Sequence, residues 1–241
     1  MTECLTVLSW SHQAGVVRDD STPTAAHLLS LVEFIHRLNP DIVLLQHFGL
    51  FDLNHLRPHL NRFLISFGQP SGGIEGGLGI LLRNHLDVLR TDHRYFHQVD
   101  GSKSTGLGQT LLLTFDGRQL LLGNVQLSFD SASSDSHMGI YEAKQFFAGL
   151  PLRSIHGALI GGHWNAGSAH PLIQLPKGYG LYGVRPHEHG SFSAVESANP
   201  MIHFFCSTSL KSTALNMSDF EMRAQDVRLP HPLVFQISWL A

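Results

Sequence analysis

The run Asp41-Ile-Val-Leu-Leu-Gln46 constrains the fold more than any other stretch of the chain. It is short and continuously apolar, the pattern of a strand covered on both faces. A sheet built on such a strand needs a layer on each side. A helix precedes it: Thr22 caps, Pro23 takes the first helical position, and Leu28, Leu31, Val32, Ile35 and Leu38 recur at helical spacing until Asn39-Pro40 ends the run. Leu5 to Trp10 reads as the strand before that helix. Further strands are predicted at Arg62–Phe67, Leu78–Arg83, Leu86–Tyr95, Gln109–Phe115, Gln119–Leu127, Ile155–Ile160, Met201–Ser207 and Leu233–Leu240. Asp116-Gly117 between two of them is a hairpin turn signal. Short helices are expected over 50–60 and 140–149, and irregular chain over 166–200. Strands outnumber helices and no linker interrupts them, which predicts one domain over 1–241, with two sheets packed together and helices outside.

Charge narrows the function. Charged residues make up 15% of the 241 positions, against roughly 25% in an average soluble domain. Histidine numbers 17, more than the 16 Lys and Arg together, and the net charge is −3 with histidine neutral. A chain this poor in basic residues lacks the electrostatic footprint of a protein that binds nucleic acid alone. The sparse charge instead suits a surface that rests against a protein partner or a second copy. No apolar run reaches the ~20 residues of a membrane span. The start, MTECLTVLSW, has no basic stretch or cleavage pattern, so no secretion signal is expected there. Two cysteines, Cys4 and Cys206, are too few for a disulfide framework. Both are expected as buried strand residues, and the expected location is cytoplasmic.

Seven segments, in order, resemble the endonuclease/exonuclease/phosphatase superfamily. LTVLSWS and PDIVLLQ (40–46) resemble its opening strands, which end in WN and LQE. GLGILLR (77–83) resembles its glycine-rich strand before a basic residue. LLLGNVQL (120–127) resembles "NvHL", ALIGGHWNA (158–166) "lGDfN", PMIHFF (200–205) "iDyi" and LPHPLVF (229–235) "SDHxPv". The resemblance implies an α/β fold of the DNase I type, a four-layer sandwich of two packed mixed β-sheets flanked by helices. It also implies Mg²⁺-dependent cleavage of phosphate esters by acidic residues at the strand ends.

Those acids are missing at the matched positions. Ser11 stands for the Asn after the tryptophan, His47 for the Glu, Gln126 for the His of NvHL, His163 for the Asp of GDfN, His203 for the Asp of iDyi and Pro230 for the Asp of SDH. Asn165 and His231 alone keep their expected types. Mg²⁺ is a hard ion that takes carboxylate and water oxygens, and imidazole replaces them poorly. This argues against a Mg²⁺ enzyme and leaves no confident catalytic residue. The leading expectation is a catalytically inactive relative that works as a binding or scaffold subunit. The superfamily has inactive members of this kind, the catabolite repression control regulators.

Two alternatives remain. His47, His163, His203 and His231 sit at strand ends that meet in one pocket of the superfamily fold, and four imidazoles suit Zn²⁺ or another transition metal for ester hydrolysis. Alternatively, a residual Mg²⁺ nuclease or phosphatase would need loop acids: Asp19, Asp20, Glu75, Asp130, Asp135, Glu188 or Glu196. Trp10 and Trp164 flank the same pocket as candidate binding residues, with packing the commoner role for such side chains. Arg83 and Arg185 are candidate phosphate contacts, His187 and His189 a minor metal clip, and loops 68–79, 128–139 and 166–200 candidate interaction surfaces.

Overall fold

A computed structural model describes residues 4–11, 23–69, 76–98, 100–128, 137–167, 169–184, 202–215 and 233–240. Among them the chain forms β1 (Leu5–Ser11), α1 (Pro23–Leu38), β2 (Ile42–Phe48), α2 (Leu50–Leu56), β3 (Phe63–Gly68), β4 (Gly77–Arg83), β5 (Asp87–His97), β6 (Lys103–Phe115), β7 (Arg118–Gln126), α3 (His137–Ala148), β8 (Gly157–His163), α4 (Pro171–Gln174), β9 (Leu181–Gly183), β10 (Ile202–Ser207), β11 (Leu210–Ala214) and β12 (Leu233–Trp239). Short 3-10 turns follow α2 and α4. The strands build two six-stranded sheets, ordered β11-β12-β1-β2-β4-β3 and β5-β6-β7-β8-β10-β9. β1 runs parallel to β2 and β7 parallel to β8, while the other neighbours are antiparallel.

Strand alternation explains the apolar runs. Val7, Ile42, Leu44, Ile80 and Leu82 of the first sheet meet Leu111, Leu113, Leu120, Leu122 and Leu159 of the second in a central core. The intervening Leu8, Val43, Leu45 and Leu81 face the other way, onto Leu28, Leu31, Val32 and Ile35 of α1. On the far side Leu121, Ala158 and Ile160 pack against Ala143, Phe146 and Phe147 of α3. The predicted sandwich of two mixed sheets with outer helices is therefore present, and the Asp41–Gln46 run is apolar because both its faces are covered. Among the described residues no helix is long and apolar enough to cross a membrane.

The structure corrects four sequence expectations. β8 continues past Ile160 to His163, so Gly161-Gly162 is strand, not turn. These glycines mark close approach: a Cβ on Gly161 would run into the Phe204 ring, and one on Gly162, at φ +141°, into the Val125 carbonyl. The stretch expected to be irregular carries α4 and β9 in its described part. β11 was not foreseen, because LKSTA is a short, mixed edge strand paired only to β12. Cys4 is exposed, while Cys206 is buried as expected.

Candidate functional site

β1, β2, β7 and β8 end at the same edge of the sandwich, since the register pairs Ser11 with Gln46 and Gln126 with His163. This edge gathers Ser11, His47, Gln126 and His163. His47 owes its position to a bulge: the β2–β4 register shifts between Gln46 and Phe48, and His47 adopts φ +60°. Its N–H donates to Gln126 Oε1 at 3.0 Å, and Gln126 Nε2 donates to the Gly76 carbonyl at 3.2 Å. Gly76 (φ +72°) lies so close that a Cβ there would sit 2.9 Å from His47 Cα. The amide, the glycine and the bulge together turn the His47 ring inward.

The ring meets His163. His47 Nε2 lies 3.1 Å from His163 Nδ1, with the two ring planes at 83°, and Ser11 Oγ is also 3.1 Å from that Nδ1. One proton serves the contact between the two imidazoles. His163 is 5% exposed, and its other nitrogen, Nε2, has no hydrogen-bond partner among the described residues. Burial pushes its pKa down to about 4, opposed by the Asn165 amide and slightly reinforced by His203. At neutral pH the imidazole is uncharged.

His203 is placed differently. Its Nε2 lies 2.7 Å from the Ala166 carbonyl, which only accepts, so Nε2 carries the proton. Asn165, at φ +50°, donates its side-chain amide to the Leu127 carbonyl at 2.6 Å. His231 lies outside the described residues, as do Pro230, Arg185, His187, His189 and the seven loop acids. Among the described residues, no three His, Cys, Asp or Glu side chains gather to hold a metal ion. Trp10 and Trp164 are core residues, 2% and 1% exposed; Trp10 packs near Phe34, and Trp164 between Phe147 and Phe205. Arg83 sits at the opposite end of its sheet, bonded to Asn39 and lying over the Phe63 ring.

A second polar tier lies one to two residues deeper along the strands, and the sequence reading missed it. Gln46 Nε2 donates to Ser9 Oγ (3.1 Å) and Asn124 Oδ1 (2.8 Å), and Asn124 Nδ2 donates to the carbonyls of Leu45 and Gly79. Gln109, opposite Asn124, donates to Ser66 Oγ at 2.8 Å and contacts His93 Nε2 at 3.2 Å. These amides tie the two sheets together beneath His47. Their signal was present: Gln and Asn inside otherwise apolar strands imply buried partners.

The donors described at this edge are imidazoles, a hydroxyl and amides. That set does not fit Mg²⁺. The buried carboxylates are committed elsewhere. Asp52 accepts from the Gly49 N–H at 2.9 Å, and Glu142 accepts from the Ser128 N–H and Oγ and from Ser104 Oγ.

No protein-family model matches the chain, and no curated protein matches it in sequence. Solved structures do match in shape. An endonuclease/exonuclease/phosphatase family protein from Bacteroides thetaiotaomicron superposes with a TM-score of 0.76 over 100% of both chains, at 14% identity. ANGEL2, a 2',3'-cyclic phosphatase in complex with adenosine-2',3'-vanadate, reaches 0.76 over 99% of this chain and 96% of its own, at 13% identity. The catalytic domain of human Nocturnin, with a bound sulfate anion, reaches 0.72 over 98% and 94%, at 13% identity.

Proposed function

From the premise that this chain has the fold of the endonuclease/exonuclease/phosphatase superfamily, we propose that it is a catalytically inactive form of that fold, acting as a binding or scaffold subunit for a protein partner. The observation that carries this reading is the His47–His163–Ser11 contact, a cluster without a carboxylate where the resemblance expects acids. A phosphoryl-transfer transition state is strongly anionic and needs a metal ion or fixed positive charge. A His163 held neutral, with its Nδ1 already engaged, supplies neither. The low charge of the chain and the exposed Leu50 and Phe51, which begin α2 three residues after His47, support a surface built for a partner. Plasmid nicking and bis(p-nitrophenyl) phosphate hydrolysis with Mg²⁺, Mn²⁺ and Zn²⁺ test the proposal. The expected rate is that of buffer. Mg²⁺-dependent turnover lost on changing Asp19, Asp20, Glu75, Asp130, Asp135, Glu188 or Glu196 would replace it with the residual nuclease or phosphatase reading.

One observation favours a second reading. Two imidazoles bound to one tetrahedral zinc at ~2.0–2.1 Å place their nitrogens roughly 3.3 Å apart. The His47–His163 separation of 3.1 Å is close to that span. An ion there, with His231 as a further ligand, would supply Lewis acidity for ester hydrolysis. Metal analysis of untagged protein decides: stoichiometric zinc lost in His163→Ala supports it, and substoichiometric metal unchanged in that variant removes it.

A further inference from the structure

The two sheets have four edges among the described residues, and three carry the usual protections against pairing. β5 has Asp87, Arg90, Asp92 and Arg94 along it and two register shifts. β9 is three residues long. β11 carries the exposed Lys211. β3 has none of these. Its sequence, FLISFG, contains no charge and no proline, and its register with β4 runs unbroken from Phe63–Arg83 to Gly68–Leu78.

The hydrogen-bond phase of β3 is set by its neighbour. Asn84 N–H donates to the Arg62 carbonyl, so residues 62, 64, 66 and 68 bond toward β4. The backbone groups of Phe63, Ile65 and Phe67 therefore point away from the sheet, and among the described residues no strand pairs with them. The Phe63 N–H turns back to the Leu60 carbonyl, leaving its carbonyl outward. Leu64 is 50% exposed, while Phe63, Ile65 and Phe67 are half-buried.

We propose that the edge of β3 that no strand pairs among the described residues is a pairing site for a second copy of this chain, joined antiparallel about a two-fold axis through Ile65. The pattern is self-complementary. Ile65 lies opposite Ile65 of the second copy and exchanges both backbone bonds with it. Phe67 N–H reaches the Phe63 carbonyl of the other copy, and the same bond recurs by symmetry. Phe63 stands beside Phe67 on one face, and Leu64 beside Ser66 on the other, so apolar side chains meet across the seam with no like charges opposed. The axis stands perpendicular to the sheet, so each face continues as itself and the six strands extend to a twelve-stranded sheet. A foreign strand would find no charged residue along β3 to select it, whereas an identical strand matches it at every position.

The inference holds whether or not the cleft turns over substrate, so the phosphodiester assay neither supports nor removes it. Its test is sedimentation equilibrium of the full chain, with hydrogen–deuterium exchange read at Ile65 and Phe67. The expected species at about 100 μM has twice the 26.6 kDa chain mass. Leu64→Lys, at an exposed position, weakens the dimer by about tenfold or more, while Arg90→Ser on β5 leaves it unchanged. The Ile65 and Phe67 amides slow by about tenfold or more on going from dilute to concentrated protein. A monomer at every concentration overturns the proposal. So does a dimer in which those two amides exchange at a concentration-independent rate, since its interface then lies elsewhere.

Discussion

His163 shows most directly the chemistry of the strand-end site. Its folded pKa of about 4 lies below the 6.5 of an unfolded histidine, so the unfolded chain binds the extra proton first as pH falls. Stability is therefore full above about pH 6.5 and declines as pH drops toward 4, by about 3 kcal/mol at most from this residue. Urea unfolding at pH 7 and pH 4.5 should show a falling midpoint, and His163→Gln should reduce that fall. An NMR titration should find the His163 ring neutral at pH 6, where exposed histidines are largely charged. A His163 signal that titrates near 6.5 would contradict its placement. The sequence located this residue through the ALIGGHWNA segment, and His47 and Gln126 through their own segments, because chemistry-bearing positions at strand ends keep their order along the chain. It did not reveal that His203 bonds Ala166, nor that Arg83 lies at the opposite end of its sheet. Those outcomes depend on side-chain direction and on loops, which no periodicity encodes.

The same contrast holds for the elements. Continuous apolar runs were legible as strands covered on both faces, and Asp116-Gly117 as a hairpin, with φ of +50° and +71° at its two turn residues. The end of β8 was not legible, because a glycine pair signals a turn and a close backbone approach in the same letters. Gly162→Ala should destabilise the protein by about 3 kcal/mol or more, since the new Cβ meets the Val125 carbonyl, which belongs to the sheet and cannot move aside. Gly178→Ala, with open space around it, should be near neutral in the same denaturation experiment. α3 offers a second test. Its Glu142 carboxylate is fully buried and accepts hydrogen bonds from Ser128 N–H (2.7 Å) and Ser128 Oγ (2.6 Å). Glu142→Leu should cost about 3 kcal/mol, because it leaves the half-buried Ser128 amide without its acceptor and the Ser104 and Ser128 hydroxyls with only hydroxyl partners. A loss well under 1 kcal/mol would mean that those donors find water instead.

At the scale of the whole molecule, two six-stranded sheets bring together a strand-end site whose described lining carries no carboxylate. Fold alone does not establish function: strand order and apolar pattern set the architecture, while a few strand-end residues decide whether a hard cation can bind. The architecture was legible because it rests on many alternating apolar positions. The exposure of Leu50, Phe51 and Leu64 was not legible, because exposed apolar residues obey no period. Direct binding of Mn²⁺, a paramagnetic stand-in for Mg²⁺, tests the central claim. Electron paramagnetic resonance of the full chain titrated with Mn²⁺ should find no bound ion displaceable by Mg²⁺ below about 1 mM, the range of weak oxygen-ligand sites. One equivalent of bound Mn²⁺, released by Mg²⁺ competition, would show that acids do line the cleft and would contradict the account.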